Sequence, residues 1–114
     1  MSLEQKMIQA IVTALEDKKA EDIKIIDIAK ICSFTNYFII ANGSNVNQVQ
    51  AMTEAIEENL KQIYNEEHKI EGYQKANWVL LDYGNIIIHL FDRENRDFYK
   101  LEKIWKDGTL ITLD

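Results

Sequence analysis

The 114-residue chain contains no proline, one cysteine, four glycines and no long apolar run. Without proline it has no stiff linker, and the lone Cys32 excludes an internal disulfide framework and leaves too few thiols for a structural zinc site. No apolar segment approaches the roughly 20 residues that a membrane-spanning helix needs, and the polar N-terminal residues do not form a secretory signal. We therefore expect a cytoplasmic protein without membrane contact.

Basic side chains are also scarce. Thirteen lysines and arginines stand against 19 aspartates and glutamates, so the formal net charge is -6 at pH 7. Lys18 and Lys19 form the only adjacent basic pair. Because such a chain repels free phosphate backbones on average, we expect no direct sequence-specific binding of nucleic acid, and a basic protein partner fits better.

Hydrophobic periodicity predicts an α/β fold with a mixed β-sheet covered by helices. With 46% hydrophobic and 28% charged residues, the chain suits a single globular domain over residues 1–114. Apolar and β-branched spacing predicts the following order of elements. It comprises a helix over 3–18, strands over 23–28 and 37–41, a helix with Ser44 or Asn45 as N-cap, a possible short strand near Ile70, the hairpin 78–91, a helix over 92–105 with Asp92 as N-cap, and a possible edge strand over 109–114.

The hairpin segment from Trp78 to Phe91 is the most informative stretch. If Gly84 lies in a two-residue turn, alternation places aliphatic residues and Tyr83 on one face and a mixed set on the other, whereas a three-residue loop would exchange the faces. The mixed face holds Trp78, Leu80, Asp82, Ile87, His89 and Phe91. A carboxylate and an imidazole among aromatics indicate a recognition or active surface, with Trp78 as an interface anchor. Alternation places Tyr83 on the aliphatic face, but at the turn its side chain can be either buried or exposed.

Catalytic interpretations find less support. The turn Gly43-Ser44 before a helix could bind an anion, and together with Asp82 it could form a nucleotide-binding or nucleotidyltransferase-like site. A single carboxylate cannot hold two metal ions, so we expect no metal and no cofactor. Asp82 and His89 could pair as acid and base, yet no nucleophile has an evident place beside them.

Two further features have mainly structural interpretations. Cys32 could in principle form a dyad with His68 or His89, but its apolar neighbours indicate a small buried hydrophobe. In the last helix, Phe98 and Trp105 are predicted to pack on the sheet. The solvated side of that helix is predicted to comprise Glu94, Arg96, Asp97, Lys100, Glu102 and Lys103.

Taken together, these residues resemble the ribosomal silencing factor family, also called the Iojap family. The resemblance covers nearly the whole chain. It rests on Asp27, the run Ser33-Phe34-Thr35-Asn36-Tyr37-Phe38-Ile39-Ile40, Gly43-Ser44, Glu71-Gly72, Trp78, Asp82-Tyr83-Gly84, His89, Arg96, Tyr99, Leu101-Glu102 and Trp105. Many family members have aspartate where this chain has Asn36, which lacks the carboxylate.

The resemblance implies a fold similar to nucleotidyltransferases without their catalysis. It implies binding to the large ribosomal subunit through ribosomal protein number fourteen, which blocks joining of the small subunit and represses translation. It also implies a homodimer when no ribosome is present. The partner-binding residues that it implies are Trp78, Asp82, Tyr83, His89, Arg96 and Tyr99. A nucleotide-binding enzyme at Gly43-Ser44 and Asp82, or a plain dimeric interaction module, are the alternatives.

Overall fold

A computed structural model describes residues 2–100, 103 and 107–111, without the side chains of residues 98 and 99. The described residues form three helices and six strands in nearly the predicted order. The elements are α1 Leu3–Asp17, β1 Glu21–Asp27, β2 Tyr37–Gly43, α2 Val46–Leu60, β3 Lys69–Glu71, β4 Trp78–Asp82, β5 Ile86–Asp92, α3 Arg93–Tyr99 and β6 Thr109–Ile111. Within this part of the chain, no helix is both long and apolar enough to cross a bilayer.

The strands form one mixed sheet in the order β3-β4-β5-β2-β1-β6. β2 and β5 run parallel, and the other neighbours are antiparallel, which confirms the predicted mixed α/β sheet. α1 and α2 place their apolar stripes on one face of this sheet. The main core there includes Ile11, Leu15, Met52, Ile56, Leu81 and Ile88, all with no measurable exposure.

Local capping sets the starts of the helices. The Ser2 hydroxyl accepts a hydrogen bond from the backbone N–H of Gln5, whose side chain accepts one from Ser2 in return. Asn45 caps α2 and Asp92 caps α3, each by accepting a hydrogen bond from the backbone N–H three residues later. Both predicted caps are confirmed, with Asn45 rather than Ser44 in the first case.

The hairpin between β4 and β5 has the two-residue turn Gly84-Asn85. The backbone N–H of Tyr83 donates to the carbonyl of Ile86 at 3.0 Å, and Asp82 pairs with Ile87 in the antiparallel ladder. The predicted division of faces is therefore confirmed. Val79, Leu81, Tyr83, Ile86, Ile88 and Leu90 belong to the main core, and Ile87 and Phe91 belong to a second cluster on the opposite face.

The last predicted helix is shorter than the sequence indicated. α3 ends at Tyr99 because Lys100 adopts a left-handed conformation, with φ of 49°, and caps the helix through a hydrogen bond to Arg96. The single helix predicted over 92–105 is therefore wrong. The packing predicted for Phe98 and Trp105 lies outside the described residues.

Gly108 brings the chain back to the sheet. A Cβ atom at this position would lie 2.5 Å from a methyl group of Ile26 and 2.9 Å from one of Ile28, so only glycine allows this close approach. β6 follows immediately and pairs antiparallel with β1. The edge strand that the sequence indicated as possible over 109–114 is therefore present over Thr109–Ile111.

Candidate partner-binding site

The mixed face of the hairpin divides into a buried half and an accessible half. On β5, Ile87, His89 and Phe91 are all buried. On β4, the three residues of the same face, Trp78, Leu80 and Asp82, are half-buried and alternate with fully buried neighbours. We call these three residues the β4 face. They form the part of the predicted recognition surface that a partner can reach.

Trp78 is held in place by buried side chains of the adjacent strand. Its indole Nε1 donates a hydrogen bond to Nδ1 of His89 at 3.1 Å. Its ring also packs against Phe91, with 5.2 Å between ring centroids. The Phe38 ring contacts the His89 imidazole edge-on, with 4.8 Å between ring centroids. An aromatic side chain fixed in this way loses little conformational entropy when it binds, as expected of an interface anchor.

His89 orients Trp78 rather than reaching a partner itself. It is only 5% exposed, and burial lowers its pKa from 6.5 to about 4, so the imidazole is neutral at pH 7. Since Nδ1 accepts the indole hydrogen bond, the ring proton resides on Nε2. Among the described residues, that buried Nε2 has no hydrogen-bond partner.

Asp82 shapes the turn. One of its carboxylate oxygens accepts a hydrogen bond from the backbone N–H of Gly84 at 2.8 Å. His89 lies opposite Leu80 in the ladder, whereas Asp82 lies opposite Ile87. No hydrogen bond joins Asp82 to His89 in the described part of the chain, so the acid–base pairing considered from the sequence has no geometric basis.

The loop after β3 fixes the start of β4 from the other side. Gly72 has φ of 82°, and a side chain there would collide with the carbonyl oxygen of Trp78. The loop itself is anchored, because Ala76 donates to the Gly72 carbonyl at 2.9 Å and Gln50 donates to the Tyr73 carbonyl at 3.0 Å. The loop therefore restricts the position of the Trp78 backbone as well.

Tyr83 lies on the main-core face, as parity predicted, but it is only 2% exposed. The exposure that its place near the turn suggested does not occur. Tyr64 packs edge-on against its ring and donates a hydrogen bond to its carbonyl at 3.1 Å, and His68 stacks on the ring with 4.5 Å between centroids. The loop between α2 and β3 thus covers it.

Arg96 is buried as well, at 4% exposure, so its predicted place on the solvated side of the last helix is wrong. Its guanidinium donates to the backbone carbonyl of Asp22 at 2.5 Å and to the side chain of Asn42 at 3.1 Å, and it forms an ion pair with the Asp22 carboxylate at 3.2 Å. Asp22 presents its carbonyl from a left-handed conformation at a β-bulge. Arg96 therefore docks α3 on β1 and β2.

Tyr99 is the last residue of α3, and its side chain lies outside the described residues. Its contact with a partner stays a prediction. Cys32 is half-buried and packs against the second cluster, which fits the interpretation as a small hydrophobe.

The alternative site at Gly43-Ser44 does not assemble with Asp82. Gly43 pairs with Asp92 at the end of β5, whereas Asp82 pairs with Ile87 near its start. Five residues of extended strand separate the two positions by about 17 Å. They therefore lie at opposite ends of the sheet.

The turn itself is also a poor phosphate site. The Gln48 side chain accepts hydrogen bonds from both the backbone N–H and the hydroxyl of Ser44, at 2.6 and 2.9 Å. The cavity beside the turn is lined by three acidic residues, Asp92, Glu94 and Asp97, and by Arg93, whose guanidinium is already paired with Glu21 at 2.6 Å, so its net charge disfavours an anion. Within the described part of the chain, no three His, Cys, Asp or Glu side chains are grouped to hold a metal ion.

A cavity of about 470 Å³ at the end of α2 was not anticipated from the sequence. It is lined by Glu54, Glu57, Glu58, Leu60, Lys61, Tyr64, Glu66, His68 and Tyr83. The spacing of Glu54, Glu57 and Glu58 on one side of α2 was a visible signal. The contribution of Tyr83 from the hairpin could not be seen in the sequence, because it depends on tertiary packing.

Comparison with known proteins decides the family. The family described as "Ribosomal silencing factor during starvation" matches residues 2–114. The chain belongs to the ribosomal silencing factor family. Ribosomal silencing factor RsfS of Bacillus subtilis is 35% identical to it over 111 residues, which cover 97% of this chain and 94% of that protein.

Two more similarities extend this family assignment. A crystal structure from Bacillus halodurans matches with a TM-score of 0.83 and 33% identity, covering 96% of this chain and 99% of that one. A mouse protein named "Mitochondrial assembly of ribosomal large subunit protein 1" is 32% identical, and the match covers 86% of this chain and 44% of that protein. The relatives in the ribosomal silencing factor family carry the names of regulatory factors rather than of enzymes. The likeness to nucleotidyltransferases stays a prediction.

Proposed function

We propose that this protein represses translation by docking on the large ribosomal subunit and sterically preventing its association with the small subunit. Membership of the ribosomal silencing factor family supports this proposal, as does the name of the mouse relative, which refers to the large subunit. The observation that carries it is the β4 face, where buried residues hold a half-buried Trp78 in one orientation.

The features of the β4 face suit recognition of a protein surface. A rigid aromatic anchor beside an aliphatic residue and a carboxylate offers apolar contact together with complementarity to basic groups. The net charge of -6 favours a basic protein surface on the ribosome over bare RNA. We propose ribosomal protein number fourteen as that surface.

The predicted site residues take different parts in this proposal. Trp78 and Asp82 contact the partner directly because they are accessible, whereas the buried His89 and Arg96 act by fixing the shape of the surface. Tyr83 does the same at the turn, and Tyr99 is proposed as a further contact. Blocking a surface by binding to it requires no covalent chemistry, so we propose no catalytic activity. We also propose a homodimer in the absence of ribosomes, in the cytoplasm.

The test is co-sedimentation of the purified protein with isolated large subunits at moderate salt, followed by a subunit-joining assay on sucrose gradients. We expect binding and a reduced yield of joined ribosomes. Trp78→Ala should weaken binding by about 2 kcal/mol or more, roughly thirtyfold in Kd, because it removes the anchor. Circular dichroism should show that the variant remains folded.

Leu3→Ala is the control, since it removes an accessible apolar side chain on α1, away from the β4 face. It should bind like the unaltered protein. A folded Trp78→Ala variant with normal binding would show that the β4 face is not the contact surface. Absence of any large-subunit binding would remove the proposed function itself.

A further inference from the structure

The cavity at the end of α2 lies on the other side of the sheet from the β4 face. Tyr83, which lines it, and Trp78 belong to opposite faces of the same hairpin, five residues apart, or about 17 Å along the strand. A ligand bound in this cavity would therefore leave the β4 face free, and its binding does not rest on the proposed function.

The cavity has an unbalanced negative charge. Four glutamates and one lysine line it, which gives a formal charge of -3 with neutral histidine. In the described part of the chain, Lys61 forms no ion pair with these glutamates, and Glu54 already accepts a hydrogen bond from Tyr73. The cavity also lies at the carboxyl end of α2, where the helix dipole is negative and the last turn carries no basic residue.

A buried hydroxyl adds a second and independent observation. The Tyr83 ring is 2% exposed and lines the cavity, yet its hydroxyl oxygen has no hydrogen-bond partner among the described residues. Burial, with smaller contributions from Glu57 and Tyr64, raises the pKa of this phenol far above its ordinary value. The hydroxyl therefore remains neutral and keeps lone pairs that can accept a hydrogen bond.

The walls of the cavity are suited to an organic cation. The rings of Tyr64 and His68 both pack on Tyr83, with centroid separations of 5.3 and 4.5 Å. Aromatic faces attract a cation, and Leu60 adds an apolar surface for the carbon chain that carries it. A volume of about 470 Å³ is within the range of small-molecule sites.

We propose that this cavity binds a primary alkylammonium group, which donates one hydrogen bond to the Glu57 carboxylate and, once the covering rings of Tyr64 and His68 have shifted, another to the enclosed Tyr83 hydroxyl. Glu57 lines the cavity, and its carboxylate lies 3.4 Å from Nε2 of His68, whose ring stacks on Tyr83, so the ammonium group replaces His68 as the partner of this carboxylate. Two sources present this chemistry. One is a lysine side chain of a basic protein segment, and the other is a free polyamine.

The test is a titration of the full-length ¹⁵N-labelled protein with butylammonium chloride at about 0.15 M NaCl, where weak long-range attraction is screened. We expect saturable amide shifts concentrated at Tyr64, His68 and Tyr83. Tyr83→Phe removes only the hydroxyl, and Glu57→Gln removes only the charge, so each should weaken binding about tenfold.

Glu16→Gln is the matched control, because it removes one negative charge from an exposed position on α1. It should change the affinity by less than about twofold. Shifts spread evenly over the acidic surface, or equal losses in Glu16→Gln and Glu57→Gln, would overturn the proposal. So would unchanged affinity in Tyr83→Phe.

Spermidine and a tetralysine peptide distinguish the two sources. Tighter binding of the peptide at equal ammonium concentration assigns the cavity to a lysine side chain, and tighter binding of spermidine assigns it to a polyamine. Loss of either signal in Glu57→Gln confirms that the probe occupies the cavity. Failure of both probes to shift the cavity residues would contradict the proposal.

Discussion

Protonation of His89 should destabilise the protein in mild acid. The imidazole is buried, and its pKa falls from 6.5 to about 4 in the folded state. Between these two values the unfolded chain binds a proton that the folded chain does not, so stability decreases as the pH falls below 6.5 and the loss is complete below 4. Each unit of pKa difference corresponds to about 1.4 kcal/mol.

The expected size of the effect follows from these two pKa values. At pH 7 the histidine is neutral in both states, and its contribution is close to zero. At pH 5 the unfolded histidine is almost fully protonated while the folded one is not, which costs about 2 kcal/mol of stability. This is a large part of the total for a domain of this size, since small domains have about 5–15 kcal/mol in all.

The assay is urea unfolding at several pH values between 7 and 5, compared with His89→Gln. Glutamine can still accept the hydrogen bond from Trp78 but does not titrate. Carboxylates titrate alike in both proteins, so their contribution cancels in the difference. We expect the stability advantage of the unaltered protein to shrink by about 2 kcal/mol from pH 7 to pH 5. A difference that stays constant with pH would refute the reasoning.

Two further changes should lower stability for other reasons. Asn36→Asp replaces the 2.8 Å hydrogen bond from the Asn36 amide to the Glu4 carboxylate with two facing carboxylates. It should lower the free energy of unfolding, measured with urea, by about 1–2 kcal/mol. The double variant that adds Glu4→Gln should recover this stability. A cost that persists unchanged in the double variant would contradict this. Gly108→Ala places a methyl group 2.5 Å from a methyl group of Ile26. It should lower the free energy of unfolding by about 2 kcal/mol and speed amide hydrogen exchange in β6. Unchanged exchange in β6 would count against the close approach.

Local patterns predicted much of the fold. The N-caps Asn45 and Asp92 are set by side chains that reach their own backbone, so they are visible in sequence. The division of faces in the hairpin is visible for a similar reason, because a short turn and period-two alternation determine it once Gly84 is placed.

The parts that sequence reasoning missed depend on long-range packing. Arg96 looked solvated because charged residues surround it, yet the β-bulge at Asp22 brings a carbonyl to it from 74 residues away. Tyr83 is buried by a loop whose path no local pattern shows. The separation of Gly43 from Asp82 likewise depends on strand register across the sheet.

The contact between Gly72 and the carbonyl of Trp78 has an evolutionary consequence. A bulkier residue in that loop would shift the first residue of β4, and the indole would move with it even though the loop lies outside the β4 face. Natural variants of this loop should therefore conserve length and the glycine together, and a binding defect could arise from a site remote from the contact.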